Sequence, residues 1–137
     1  MNISRQLPKL VVVGVLLVGL TLAVTKFFDS GKQGVSVNVR VPELSALATR
    51  GKQAFNANCA QCHGKNAAGT DKGPPLIHRI YEPGHHGDQA FVNAAKRGVR
   101  RHHWPYGNMP PQPQVTGAQI SMIIKYVREL QVANGIN

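Results

Sequence analysis

The only two cysteines of this 137-residue chain stand three apart, with a histidine directly behind the second: Cys59-Ala60-Gln61-Cys62-His63. A C-x-x-C-H run is the attachment signature of haem c. Each thiol adds to one vinyl group of the porphyrin and the neighbouring imidazole ligates iron, so one turn of chain supplies all three bonds. Two other chemistries use paired thiols. A dithiol–disulfide couple of the thioredoxin type sits near a β-α-β pattern, and none is visible. A structural zinc site needs two further ligands. His78, His85, His86, His102 and His103 are available, but zinc sites usually show paired spacings in both halves of the ligand set. The expectation is one covalently bound haem.

A six-coordinate iron takes its second axial ligand from far along the chain, and methionine and histidine are the candidates. Met1 opens the sequence and Met122 falls inside a helical pattern. Met109 lies in Gly107-Asn108-Met109-Pro110-Pro111, 46 residues after His63. The prolines leave that loop less entropy to lose, which helps keep a weak thioether bond made. Met109 is therefore the expected ligand. The alternatives are His102 or His103, which would give a bis-histidine iron of lower potential.

Positioning these groups falls to helices. Leu44, Leu47, Ala48, Gly51, Ala54 and Phe55 follow the i, i+3, i+4, i+7 spacing of an amphipathic helix leading into the motif. Gly51 in mid-helix costs about 1 kcal/mol against alanine, which a close helix crossing would justify. A second, short helix runs from Asp88 as N-cap through Phe91, Ala94 and Ala95 to Gly98. Thr116 and Gln119 form a T-x-x-Q capping box for the last helix. Its apolar stripe is Ile120, Ile123, Ile124, Val127 and Leu130, with Tyr126 and Arg128 off the centre. Between them Gly73-Pro74-Pro75, Glu82-Pro83-Gly84, Trp104-Pro105-Tyr106-Gly107 and Met109-Pro110-Pro111 signal loops, and no strand alternation is credible. The fold class is all-α, three or more short helices with long loops. Such a core of about ninety residues is thin by itself, and a large buried prosthetic group would explain it.

With these segments identified, the chain over 44–131 resembles the class I c-type cytochromes, and small bacterial single-haem members in particular. The resemblance rests on the helix leading into Cys59-Ala60-Gln61-Cys62-His63, on Gly73-Pro74-Pro75-Leu76, on Met109-Pro110 and on the final helix. It implies a cytochrome c fold around one haem, with Cys59, Cys62, His63, Pro74, Leu76, Trp104 and Met109 at the cofactor and His63 and Met109 on iron. By the same likeness the Pro74 carbonyl accepts a hydrogen bond from the His63 imidazole, fixing its tautomer and tuning the iron. Gly51 and Phe55 would cross the last helix near Tyr126, and the Trp104 N–H would reach a haem propionate. The pairs His85–His86 and His102–His103 are not explained by the family pattern; they are expected as surface or propionate contacts rather than iron ligands.

Arg5 and Lys9 precede an uncharged apolar run over 10–25, a basic segment followed by a hydrophobic one. As a helix the run spans about 24 Å, short of a hydrocarbon core of about 30 Å. Phe27 and Phe28 extend it if Lys26 snorkels to the interface. No A-x-A-like cleavage site follows, so an uncleaved anchor, a transmembrane helix, is expected at 1–28; a cleaved signal is the alternative, and either implies export. A linker at 29–43, the cytochrome c domain at 44–132 and a tail at 133–137 complete the expected organisation.

Sixteen Lys+Arg against six Asp+Glu leave a net charge of +10. The basic residues are scattered and no nucleic-acid motif is present, which argues against nucleic acid as partner. Redox proteins with an acidic docking surface, and the membrane, are the expected partners. With both axial positions filled, iron offers no vacant place to a small-molecule substrate. The implied role is one-electron transfer rather than catalysis, at the periplasmic face of an inner membrane crossed once. The alternatives are a haem-binding subunit of a respiratory or dehydrogenase complex and a haem enzyme with an open distal site.

Overall fold

The computed structural model describes residues 3–29 and 34–137. The chain divides into two units between Gln33 and Gly34. The first holds helix α1 (Ile3–Asp29), along which residues 11–26 are all exposed. Among the described residues no helix is long and apolar enough to cross a membrane.

The frame of the second unit is the crossing of α2 (Ala46–Asn58) with α5 (Gly117–Ala133). Helix α2 starts where the Ser45 hydroxyl accepts from the Ala48 N–H. Glu129 of α5 in turn accepts from Ser45 N–H at 3.0 Å and from its hydroxyl at 2.7 Å, so the cap of one helix is tied to the side of the other. At the crossing Gly51 lies directly on α5: a Cβ there would stand 2.5 Å from the Met122 carbonyl carbon and 3.0 Å from Tyr126 Cβ. One turn on, the Phe55 and Tyr126 rings meet edge to face with centroids 5.6 Å apart, both fully buried. Tyr126, off the apolar stripe by its spacing, is thus a core residue. Gly51 lets the backbones approach, and the ring fills the space beside the contact.

Both halves of the Thr116–Gln119 capping box are present at the start of α5. Helix α4 (Asp88–Arg97) differs at its start, because Gly87 and not Asp88 occupies the cap. Asp88 is the first helical residue, where a carboxylate suits the helix dipole, and it accepts from Arg128 Nε at 2.8 Å.

Part of the expected linker lies outside the described residues, and from Gly34 onward the chain runs extended across the domain. Val37 N–H donates to Ala68 O at 2.8 Å, and Arg40 exchanges hydrogen bonds with the Asn134 side chain at 2.9 and 2.8 Å. The reason is a period-two pattern: Val37 and Val39 pack on the core while Ser36, Asn38 and Arg40 alternate with them and face outward. The end of the chain folds back similarly, with Ile136 buried after a turn at Gly135.

Candidate cofactor site

Cys59 caps the C-terminus of α2 and opens the single turn α3 (Ala60–His63). This turn presents Cys59 and His63 half-buried and Cys62 exposed. Gly64, at φ +75°, stops α3 at once, a conformation glycine adopts without strain. The chain then loops through Asn66 and Ala67, both left-handed, and returns to bring the Pro74 carbonyl 2.9 Å from His63 Nδ1. A carbonyl only accepts, so Nδ1 carries the proton and Nε2 keeps its lone pair. Burial pushes the His63 pKa below the ordinary histidine range, partly opposed by the bond to Pro74.

One cavity of about 410 Å³ collects most of the expected residues: Cys59, His63, Pro74, Leu76, Trp104 and Met109 all lie on its wall. That volume is within the roughly 300–1,000 Å³ of small-molecule and cofactor sites. The surface is overwhelmingly apolar, with Phe55 from α2, Phe91 from α4 and Ile120, Ile123 and Ile124 from α5. Cys62 is not on this wall. Its backbone packs against Gly73, where a Cβ would meet Cys62 O at 3.0 Å, and its carbonyl accepts from the Thr70 hydroxyl.

Met109 is fixed by its backbone. Its N–H donates to Val99 O at 3.0 Å and its carbonyl accepts from Val99 N–H at 2.9 Å, an isolated antiparallel bridge that closes the loop between them. Asn108 Oδ1 accepts from Arg101 N–H at 3.0 Å inside that loop. The prolines behind Met109 are thus half of the restraint, and nothing in the sequence marked Val99 as the other half.

The site also depends on two residues outside the motifs. Gln131 is fully buried, and its Nε2 donates to Leu76 O at 2.9 Å and Tyr81 O at 3.0 Å. Arg128 donates to Gln131 Oε1, Tyr81 O and His86 O at 2.6, 2.8 and 2.6 Å. Together they pin the segment that carries Leu76, Tyr81 and His86 onto the cavity wall. The sequence holds one signal for them, two polar residues three apart beside the apolar stripe of the last helix.

The cavity chemistry tests which group it suits. Burial, with the neighbouring Cys62, pushes the Cys59 thiol up to about 11, opposite to the lowered pKa of a reactive dithiol or a metal-bound thiolate. Among the described residues the Trp104 Nε1–H is buried without a hydrogen-bond partner. An unmet buried donor costs about 1–3 kcal/mol, which a carboxylate group of a bound molecule would offset. An apolar cavity with a pre-bonded neutral imidazole, a restrained thioether and one orphaned donor fits a haem.

The fold and site thus define a small helical haem protein of the c type. The cytochrome c family model matches residues 48–131, and the chain belongs to the cytochrome c family; membership implies a covalent haem c and sets aside the disulfide and zinc readings of the two cysteines. The chain is similar to the cbb3-type cytochrome c oxidase subunit FixP of Sinorhizobium medicae, 31% identical over 122 residues that cover 75% of this chain and 42% of the relative. It is also similar to the cbb3-type cytochrome c oxidase subunit CcoP of Rhodobacter capsulatus, 35% identical over 94 residues, 65% of this chain and 31% of the relative. The chain therefore spans less than half the length of these curated relatives. No solved structure matches it.

Proposed function

We propose that this chain carries one electron at a time between redox proteins at the periplasmic face of an inner membrane. The observation that carries the reading is the shared cavity, which puts Cys59, His63 with Nε2 free, and a backbone-restrained Met109 on one apolar wall. Cys59 and Cys62 hold the cofactor covalently, His63 and Met109 are its axial ligands, and Pro74, Leu76 and Trp104 contact it. When bound, haem supplies a one-electron ferric–ferrous couple. Two protein ligands leave no position for substrate, so the role is transfer and not turnover.

Attachment to the membrane through 1–28 is supported by the exposed apolar side chains of α1, among them Val15, Leu16 and Leu20 at 61–67%. Thr21 and Thr25 return their hydroxyls to the Val18 and Leu22 carbonyls, which hides their polarity. Eleven Lys+Arg against four Asp+Glu from residue 44 onward, net +7 before the haem propionates, favour a partner with an acidic docking surface.

The test is the Met109→Ala variant of the purified full chain. The parent should hold its pigment through acidified acetone and show the far-red sulfur-to-iron band when oxidised. The variant should lose that band, bind added small ligands and have a lower potential; an unchanged spectrum would remove Met109 from the iron. A second reading, a fixed haem-bearing subunit of a membrane oxidase complex, is favoured by the two oxidase-subunit relatives. Co-purification of oxidase subunits after mild detergent extraction would select it over a free carrier.

A further inference from the structure

The cytochrome reading leaves five histidines unused, and the fold gathers four of them, His85, His86, His102 and His103. His85 and His86 sit in the turn before α4, His102 and His103 in the loop closed by the Val99–Met109 bridge, and the ligating nitrogens of His85, His86 and His103 all lie within 4.8 Å of one another. We propose that these three imidazoles form a second metal site, separate from the haem iron, that takes a divalent transition-metal ion of the zinc and copper class.

Three features carry this beyond mere proximity. The first is the edge length: with metal–nitrogen bonds of about 2.0–2.1 Å, two ligands of a tetrahedral site stand about 3.3–3.4 Å apart. His85 Nε2 and His103 Nε2 are 3.3 Å apart. In the metal-free protein that spacing is a hydrogen bond between one protonated and one bare nitrogen, and an ion replaces the shared proton.

The second is orientation. His86 Nδ1 lies 2.6 Å from the Ile80 carbonyl, which only accepts, so Nδ1 carries the proton and Nε2 is left to ligate. A metal-binding histidine is commonly held this way, its other N–H on a carbonyl. The third is scaffolding. Arg128 grips the His86 carbonyl at 2.6 Å and pairs with Asp88 at 2.8 Å, and Glu82 O accepts from the N–H groups of both His85 and His86. The two histidines are thus anchored to α5 before any ion arrives.

An all-imidazole donor set suits zinc, copper or nickel rather than calcium or magnesium. Three protein ligands leave the fourth position to water, since His85 and His103 are both exposed. Occupancy would also join two loops that flank the cofactor cavity, because His86 and His103 lie on its wall.

The test uses the full, haem-loaded chain in detergent, without an affinity tag, titrated calorimetrically with Zn²⁺ alone. About one ion per chain should bind, Cu²⁺ should compete for the same site, and the melting temperature should rise with zinc. His85→Ala and His103→Ala should each weaken binding by about tenfold or more, and His85→Ala, whose residue is off the cofactor-cavity wall, should keep the parent haem spectrum. That spectrum separates failure here from failure of the electron-transfer reading, which does not involve His85. Absence of stoichiometric zinc binding, or binding undiminished in the doubly substituted chain, would overturn the proposal.

Discussion

Replacing Gly51 by alanine sets helix propensity against packing, and the structure decides which prevails. Alanine gains about 1 kcal/mol over glycine within a helix. The new Cβ would stand 2.5 Å from the Met122 carbonyl carbon, nearer still to its oxygen, and ordinary contact begins at 3.4 Å. The obstacle is backbone and cannot swing aside, so α2 and α5 must part by roughly 1 Å. A gap of that size forfeits a quarter to a half of the dispersion energy of each contact it opens, and Phe55, Tyr126, Val127 and Leu130 are all fully buried beside it. Overpacking costs about 1–3 kcal/mol, and a rigid obstacle puts this site at the upper end. Gly51→Ala should therefore be less stable by about 2 kcal/mol, lowering the melting temperature by about 10 °C for a domain of this size. Gly117→Ala is the matched control. Its Cβ meets nothing within 4 Å, so it should be neutral or stabilising by about 0.4–1 kcal/mol. Thermal and urea unfolding of the haem-loaded protein reads both. A Gly51→Ala chain as stable as the parent would refute the crossing as described.

Other perturbations follow from the same contacts. Gln131→Met keeps the volume but leaves the Leu76 carbonyl unpaired and removes an acceptor from Arg128, so it should cost about 2–3 kcal/mol in urea unfolding. Desolvation pushes the Glu129 carboxyl up, but hydrogen bonds from Ser45 and the Lys125 ammonium outweigh it and hold the pKa below the ordinary range. That stabilisation is complete above the unfolded value of about 4.3 and fades as pH falls through the folded one. Urea midpoints of Glu129→Gln should thus decline less than the parent's between about pH 5 and 3. Stopped-flow reduction by an acidic redox protein should slow steeply as ionic strength rises past about 0.1 M, and a rate insensitive to salt would dismiss the steering argument.

What the sequence disclosed was whatever is encoded locally. The attachment motif, the capping box of α5 and the mid-helix Gly51 each depend on spacing within a few residues, and each was legible; that Gly51 faces Tyr126 was implied only by the family resemblance. Two classes of feature were not. The strap over 34–43 has a period-two valine pattern, but Gly34, Ser36 and Pro42 suggested a linker, and only its hydrogen bonds to Ala68 and Asn134 show it docked. The clamp of Arg128 and Gln131 acts on carbonyls some forty to fifty-five residues away in sequence. Backbone acceptors have no sequence identity, so no pattern search can find such a pairing. The histidines lie between these cases: their types were conspicuous, but their convergence depends on two loops whose geometry no motif records.

Helix α5 shows why this fold and its cofactor are inseparable. Its buried face divides along its length: all of Ile120, Ile123, Ile124, Tyr126, Val127 and Leu130 belong to the core, but only the three isoleucines also line the cavity. A bound apolar ring would cover these three isoleucines, and burial of apolar surface contributes about 25 cal/mol per Å². The α2–α5 crossing thus rests on contacts within the protein, whereas the half of α5 that lines the cavity would pack on the cofactor. Thioether bonds at Cys59 and Cys62, placed at the end of α2 beside that crossing, keep the filling group from dissociating. Stability of the fold and permanence of the redox centre are thus set by the same contacts, and residues far from the iron, such as Gly51, should affect both.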